Sequence, residues 1–176
     1  DLKPANIMIG EFGETLVLDW GLAKVTKLAD LPSPEIEQGR KIISEMRVDQ
    51  TMDGTAIGTP SYMSPEQAEG KTELIDERSD VWSLGAILYE ILTGNPPYTG
   101  DLSYEVIGKV ITEKAVPVLE REPLAPPELA EICEKCLDKD LARRYRSAKE
   151  LAETAALVER EMVEKREREA KKNLAE

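Results

Sequence analysis

Residues 80–94 read DVWSLGAILYEILTG, and this stretch decides the fold. Val81, Leu84, Leu88, Ile91 and Leu92 recur at helical spacing, while Trp82, Ile87 and Tyr89 fall around that stripe. A helix that is apolar on most of its circumference belongs in a core and not on a surface. Asp80 is placed to cap its start and Gly94 to end it, and Asn95-Pro96-Pro97 then forces a turn. The sequence thus predicts a central buried helix over residues 80–93, with the remaining elements arranged about it.

Outward from this helix the pattern stays mainly α. Further helices are predicted over residues 102–112 and 128–137, and Pro117, Pro123, Pro126 and Pro127 mark a loop between them. Ser147 caps a final helix. From Glu159 to Lys172 that helix is almost wholly charged, and Glu161–Lys165, Glu164–Arg168 and Glu167–Lys171 are favourable i,i+4 pairs. Residues 158–176 therefore read as a charged linker helix, or as the start of a coiled coil with a helical partner. Toward the N-terminus, Ser64-Pro65-Glu66 has the form of a helix start. Residues 26–58 lack periodicity apart from Ile42, Ile43 and Met46, which suggest one helical turn; a loop of that length tends to be functional. At the chain start, Ile7-Met8-Ile9, the turn cluster Gly10–Gly13 and Leu16-Val17-Leu18 predict a small hairpin whose second strand is buried and ends at Asp19.

Bulk properties exclude several function classes. At 176 residues the chain suffices for one domain with a sizeable core. The net charge of −12 argues against a nucleic-acid face and against attraction to anionic lipid. There is no histidine, which removes histidine triads, HExxH zinc sites and histidine general bases together. No apolar run approaches the roughly 18 residues of a membrane span. The opening Asp-Leu-Lys-Pro, without an initiator Met or leader pattern, suggests a piece of a longer chain. Cys133-Glu-Lys-Cys136 has no second pair of zinc ligands, and its helical spacing beside Ile132 and Leu137 favours buried core thiols. A reducing cytoplasm fits, and any membrane anchor would lie outside this chain.

The chemistry concentrates in the hairpin. Asp1, Asn6 and Asp19 carry oxygen ligands on loop or strand ends, with Lys3 beside them. Carboxylate and amide oxygens suit Mg²⁺, which partners phosphate groups. A lysine neutralises a transferring phosphoryl group, and a free carboxylate accepts a hydroxyl proton. Taken singly, each of these residues is equally well explained as a turn former or strand terminator.

Their order and spacing add more. Asp1-Leu-Lys-Pro-Ala-Asn6, Asp19-Trp-Gly21, Gly58-Thr-Pro-Ser-Tyr-Met-Ser-Pro-Glu66, Asp80-Val-Trp-Ser-Leu-Gly85 and then Arg144 resemble the C-terminal lobe of eukaryotic-type protein kinases, a family whose motifs are well characterised. The resemblance covers residues 1–157, with an activation segment over about 19–66. "YMSPEQA" and "ARRYRSAKEL" look most like bacterial serine/threonine kinases. It implies a mainly α C-lobe with a small hairpin at the catalytic and metal loops, and no N-lobe in this chain.

Carried over by position, the resemblance implies that Asp1 orients the substrate hydroxyl and accepts its proton, and that Lys3 lies near the γ-phosphate. Asn6 and Asp19 would hold Mg²⁺, or Mn²⁺, on ATP. Gly21 would free the turn after Asp19, with Trp20 where relatives carry phenylalanine. Thr59 would tether the substrate loop to Asp1 and Lys3. Glu66 would pair with Arg144, and Asp80 would accept N–H groups of the catalytic loop. Lys3 and Thr59 point to serine/threonine over tyrosine acceptors. Glu90 occupies a position that in basophilic members meets a substrate arginine, although Ala5 stands where many of those carry a second acidic residue. Thr51 and Thr55 lie at offsets where related kinases are phosphorylated. In the family's motif before the final arginine, Asp140-Leu141 replaces Asp-Pro, which predicts a looser turn.

The implied function is transfer of the ATP γ-phosphate to protein serine and threonine hydroxyls by the full-length protein, with signalling as its role. The chain alone is expected to be inactive, because the glycine-rich loop and strand lysine are missing from it. Competing readings are a pseudokinase scaffold and an unrelated Mg²⁺ phosphohydrolase using Asp1 and Asp19.

Overall fold

The computed structural model describes residues 2–19 and 60–175. Asp1, the helical turn suggested near Ile42–Met46, and the rest of the long loop lie outside the described residues.

Strands β1 (Ile7–Ile9) and β2 (Thr15–Val17) pair antiparallel with Met8 opposite Leu16. Gly13 closes the turn at φ 84°, a conformation that L side chains rarely adopt. The expectation of a buried second strand is corrected here. All of β2 is exposed, as is Leu18 after it, and Phe12 at the turn is 94 % exposed. Among the described residues this three-residue ribbon has one partner strand and packs against the 3-10 turn Pro4–Asn6.

The helices follow in order: α1 (Pro65–Ala68), α2 (Glu77–Thr93), α3 (Ser103–Thr112), α4 (Val118–Arg121), α5 (Pro127–Cys136) and α6 (Ala148–Ala175). The central helix is α2, and it begins a turn earlier than its predicted cap. Asp76, not Asp80, is the N-cap: its carboxylate accepts the Arg78 N–H at 2.8 Å. Gly94 ends the helix in the left-handed conformation, φ 75°.

The buried face of α2 also differs from the predicted stripe. Val81, Trp82, Ala86 and Tyr89 are buried, whereas Ile91 is 73 % exposed. The partner surfaces decide this. Trp82 stacks parallel to Tyr98 with centroids 6.3 Å apart, within a cluster that includes Val106 and Val110 of α3 and Cys133 of α5. Val81 joins Ile132, Cys136 and Tyr145 in a second cluster, against which Leu151, Ala155 and Val158 of α6 pack. Gly85 lets α5 approach α2 closely, since a Cβ there would lie 2.4 Å from the Cys136 Cβ. Both cysteines are free and buried, and burial pushes both thiols up, Cys136 to about 12.

Helix α4 falls where the prolines suggested only loop. Tertiary bonds support this single turn: the Val118 N–H donates to Glu134 at 3.3 Å, and the Tyr89 hydroxyl donates to the Val116 carbonyl at 2.8 Å. Ser147 caps α6 by accepting the Glu150 N–H at 3.3 Å. The helix then runs through residues 157 and 158 without a break. Glu164 pairs with Arg168 at 3.1 Å, while Lys165 reaches across to Glu128 of α5 at 3.7 Å. Among the described residues, no helix is long and apolar enough to cross a membrane.

Candidate functional site

The hairpin brings the backbone of Asn6 against Leu18, the residue before Asp19. The 3-10 turn Pro4–Asn6 starts with proline, whose fixed φ suits a helical first position. The Asn6 N–H donates to the Lys3 carbonyl at 2.9 Å, which closes that turn. Asn6 is buried, at 8 % exposed, and its carbonyl accepts the Leu18 N–H at 2.7 Å. That backbone bond extends the ladder beyond β1 and β2 and brings the residue before Asp19 against Asn6. Lys3 is half-buried beside them.

Asp19 is exposed, and its φ of 58° makes it the one non-glycine residue with positive φ among those described. A left-handed non-glycine residue costs free energy and collects at functional sites. Amide and carboxylate oxygens are donors of the kind that hard cations take. Among the described residues, no cluster of three or more cysteine, aspartate or glutamate side chains forms a metal site. Asp1, Gly21, Thr51, Thr55 and Thr59 lie outside the described residues.

A second group of predicted residues meets beneath the segment that leads into α1. The Arg144 fork donates from Nη1 and Nη2 to Oε1 and Oε2 of Glu66, both at 3.0 Å. Both side chains are buried, at 0 % and 3 % exposed. Arg144 also donates from Nε to the Asp138 carbonyl at 2.7 Å and from Nη1 to the Arg78 carbonyl at 3.1 Å. Its guanidinium lies 4.9 Å from the Trp82 ring centroid. Burial works to raise the Glu66 carboxyl, but the hydrogen bonds from Arg144 and Ser79 outweigh it and hold it below the usual range. The turn before Arg144 is held without the family's proline: the Asp140 carboxylate accepts the Ala142 N–H at 2.9 Å and caps the 3-10 turn Leu141–Arg143.

Asp80 sits in the first turn of α2, exposed, and is not the helix cap. Its role toward the catalytic loop is implied by the resemblance.

Sequence reasoning missed two contacts. Ser79 donates to Glu66 Oε1 at 2.6 Å, as a third partner of the ion pair. Tyr62 donates its phenol proton to Glu90 Oε2 at 2.5 Å, joining the 3-10 turn Pro60–Tyr62 to the far end of α2. Burial first, and then that carboxylate, push the Tyr62 phenol up. A polar residue recurring on the buried face of an apolar helix was the available signal for Ser79, but its partner lies 13 residues away in sequence. For Glu90 the contact means that its carboxylate is already engaged by a tyrosine of this chain.

A cavity of about 710 Å³ opens elsewhere, between residues 114–117 and residues 134–143, and none of the predicted site residues lines it. Its lining mixes Lys114 and Lys135 with Glu134 and Asp138 and selects no one ligand charge.

Comparison with known proteins gives a consistent result. The protein kinase domain family model matches residues 1–155. Serine/threonine-protein kinase PknB of Mycolicibacterium smegmatis is 41 % identical over 151 residues, which cover 86 % of this chain and 21 % of that protein. The probable serine/threonine-protein kinase PknB of Bifidobacterium longum is 37 % identical over 150 residues, covering 85 % and 19 %. Serine/threonine-protein kinase PknD of Protochlamydia amoebophila is 39 % identical over 153 residues, covering 86 % and 15 %. The chain spans about a fifth or less of the length of these relatives.

Proposed function

This chain belongs to the protein kinase domain family, and on that premise we propose that the full-length protein transfers the γ-phosphate of ATP to serine and threonine hydroxyls of proteins. The observation that supports this reading is the backbone bond from Leu18, the residue before the left-handed Asp19, to Asn6. An amide and a carboxylate suit Mg²⁺, or Mn²⁺, because such ions complete their shells with phosphate oxygens and water. When bound, the metal neutralises charge on the phosphates of ATP.

This chain's residues do the rest. Asn6 and Asp19, at the two ends of one hairpin, would hold the metal. Lys3, one turn before Asn6, offers its ammonium to the γ-phosphate. Asp1 orients the acceptor hydroxyl and takes its proton. Thr59 ties the segment that receives the acceptor protein to Asp1 and Lys3, and Gly21 frees the backbone after Asp19. Glu66 and Arg144 lock that segment onto the helical core, and Asp80 steadies the catalytic loop.

The family's glycine-rich loop and strand lysine are not among residues 1–176. The chain on its own is therefore expected to transfer no phosphate. Phosphorylation of Thr51 and Thr55 by the protein itself would order the activation segment over about 19–66; phosphopeptide mapping of the full-length protein after incubation with ATP checks this, and finding both sites unmodified refutes it. The kinase domain is taken to end near residue 157, after which the charged part of α6 offers a face to a helical partner. Use of ATP, together with free buried thiols, supports a cytoplasmic setting for the domain.

The test is phosphate transfer from labelled ATP to a protein acceptor by the full-length protein and by its Asp19→Ala variant. Loss of transfer in the variant is expected. Equal activity in the two removes Asp19 from the metal site, and no transfer by the unaltered protein supports a scaffold instead.

A further inference from the structure

Lys139 follows the end of α5, in the stretch that leads to Arg144, and is half-buried. Its Nζ donates to the Val110 carbonyl, in the last turn of α3. A carbonyl there has no partner within its own helix, so a side chain from elsewhere completes it. The same Nζ lies 5.0 Å from the Trp82 ring centroid and 4.9 Å from that of Tyr98. Both rings are buried. The amine thus rests against two aromatic rings and one neutral acceptor.

Other lysines of this chain reach carboxylates. Lys71 meets Glu69 at 2.8 Å, Lys149 meets Glu153 at 3.9 Å and Lys165 meets Glu128 at 3.7 Å. Among the described residues, none of the ion pairs includes Lys139. The strongest charge on it is a like one, that of Arg144, whose guanidinium lies 4.9 Å from the same Trp82 ring. Glu113 and Glu69 pull the other way and more weakly. Tyr98, pushed up by burial to about 12, stays neutral. Burial first, and then Arg144, lower Lys139 to about 8. Desolvation beside a second cation is how a lysine becomes a nucleophile near neutral pH.

Lys139 also lines the cavity of about 710 Å³ between residues 114–117 and 134–143, where Tyr89, Val116, Pro117 and Leu137 supply apolar wall. That space has room for an acyl group on the lysine. We propose that Lys139 is an acylation site, modified by small activated acyl donors (acyl phosphates or acyl thioesters), with the acyl group lodged in this cavity. The free amine attacks the acyl carbon. An N–C bond forms, the C–O or C–S bond to the leaving group breaks, and the amine's proton departs with the phosphate or the thiol. The product amide keeps one N–H for the Val110 carbonyl and carries no charge, so the cost of burying an ammonium is gone. Neither the residue nor the reaction depends on the kinase reading above.

The experiment incubates the unaltered full-length protein with acetyl phosphate and, separately, with acetyl-coenzyme A. The folded fraction is isolated by size exclusion, and peptide mapping by mass spectrometry gives the acetylation rate at Lys139 and at Lys149, whose side chain is 85 % exposed. At pH 8 about half of Lys139 is free amine, against about 0.3 % of a lysine at the ordinary 10.5. Restricted access and lower basicity offset part of that advantage, so Lys139 is expected to react about tenfold faster than Lys149 with at least one donor. The donor that shows the preference identifies the leaving group. The Lys139 rate is expected to level off above about pH 8 to 9 while that of Lys149 keeps rising, and denaturant is expected to erase the preference. Equal or slower reaction at Lys139 with both donors overturns the proposal. So does a pH dependence shared with Lys149, a preference that persists in denaturant, or Lys139 modified only in protein that has left the folded fraction.

Discussion

Arg144→Ala is the sharpest perturbation of this domain. The substitution removes two 3.0 Å bonds to Glu66 and the donors to the carbonyls of Asp138 and Arg78. It leaves the Glu66 carboxylate buried and 3 % exposed, with only Ser79 as a side-chain donor. Breaking a buried pair by removing one partner costs about 3–5 kcal/mol. The carbonyls of Asp138 and Arg78 lose a donor as well. Set against a usual native stability of about 5–15 kcal/mol, this is a large fraction. At roughly 2–4 °C per kcal/mol for a domain of this size, the melting temperature falls by roughly 6–20 °C. Differential scanning calorimetry of the full-length protein and its variant measures it. Acid gives a second arm. The folded Glu66 carboxyl lies below its ordinary 4.5, so the pair's stabilisation is complete above that value and is lost as pH falls through the lower folded one. The gap between the two proteins therefore closes in acid. Combining Arg144→Met with Glu66→Leu removes both charges and recovers most of the loss. A loss below about 1 kcal/mol in Arg144→Ala refutes the argument, as does a double variant no more stable than the single.

Three further outcomes follow from the core. Gly85→Ala places a Cβ 2.4 Å from that of Cys136, so it forces α2 and α5 apart and costs about 1–3 kcal/mol, read by urea unfolding. Cys133 and Cys136 are fully buried with thiols pushed up by burial, so neither reacts with a thiol-specific disulfide reagent until the protein unfolds; stoichiometric reaction in the native state contradicts the packing. Lys139 donates to the Val110 carbonyl and lies 5.0 Å from the Trp82 ring centroid, and burial lowers it to about 8 from an ordinary 10.5. Over the window from about 8 to about 10 the unfolded chain binds the extra proton, so stability rises with pH there, before the tyrosines titrate; Lys139→Met flattens that rise, and an unchanged slope refutes it.

Much of the fold was legible because it is local. Helical spacing located α2, α3 and α5 to within a few residues, and Gly94 and Ser147 were read correctly as a helix stop and a helix cap. Errors arose where a neighbour decides. Asp80 and Asp76 are both sound caps by residue type, and the choice between them fell to Asp76 with its bonds to Arg78. The expected stripe included Ile91, yet burial went to Trp82 and Ala86, because α3 and α5 lie on that side. Leu16-Val17-Leu18 looked like a buried strand from its apolar residues alone, but burial depends on what covers a face, and this hairpin stands exposed. Helix α4 escaped notice because the bonds that hold it come from Glu134 and Tyr89.

By itself the sequence determined the family, the mainly α architecture and the placement of Asn6 and Asp19 on one hairpin, because each is encoded in residue order or short-range spacing. Only the tertiary structure decided the left-handed turn at Asp19 and the bond from Tyr62 to Glu90. It alone added Ser79 to the Glu66–Arg144 pair that the resemblance had implied. The physical reason is distance along the chain. Tyr62 meets Glu90 across 28 residues and Glu66 meets Arg144 across 78. No local propensity specifies contacts of that span, which exist only once α2 has been buried and the other elements have closed around it.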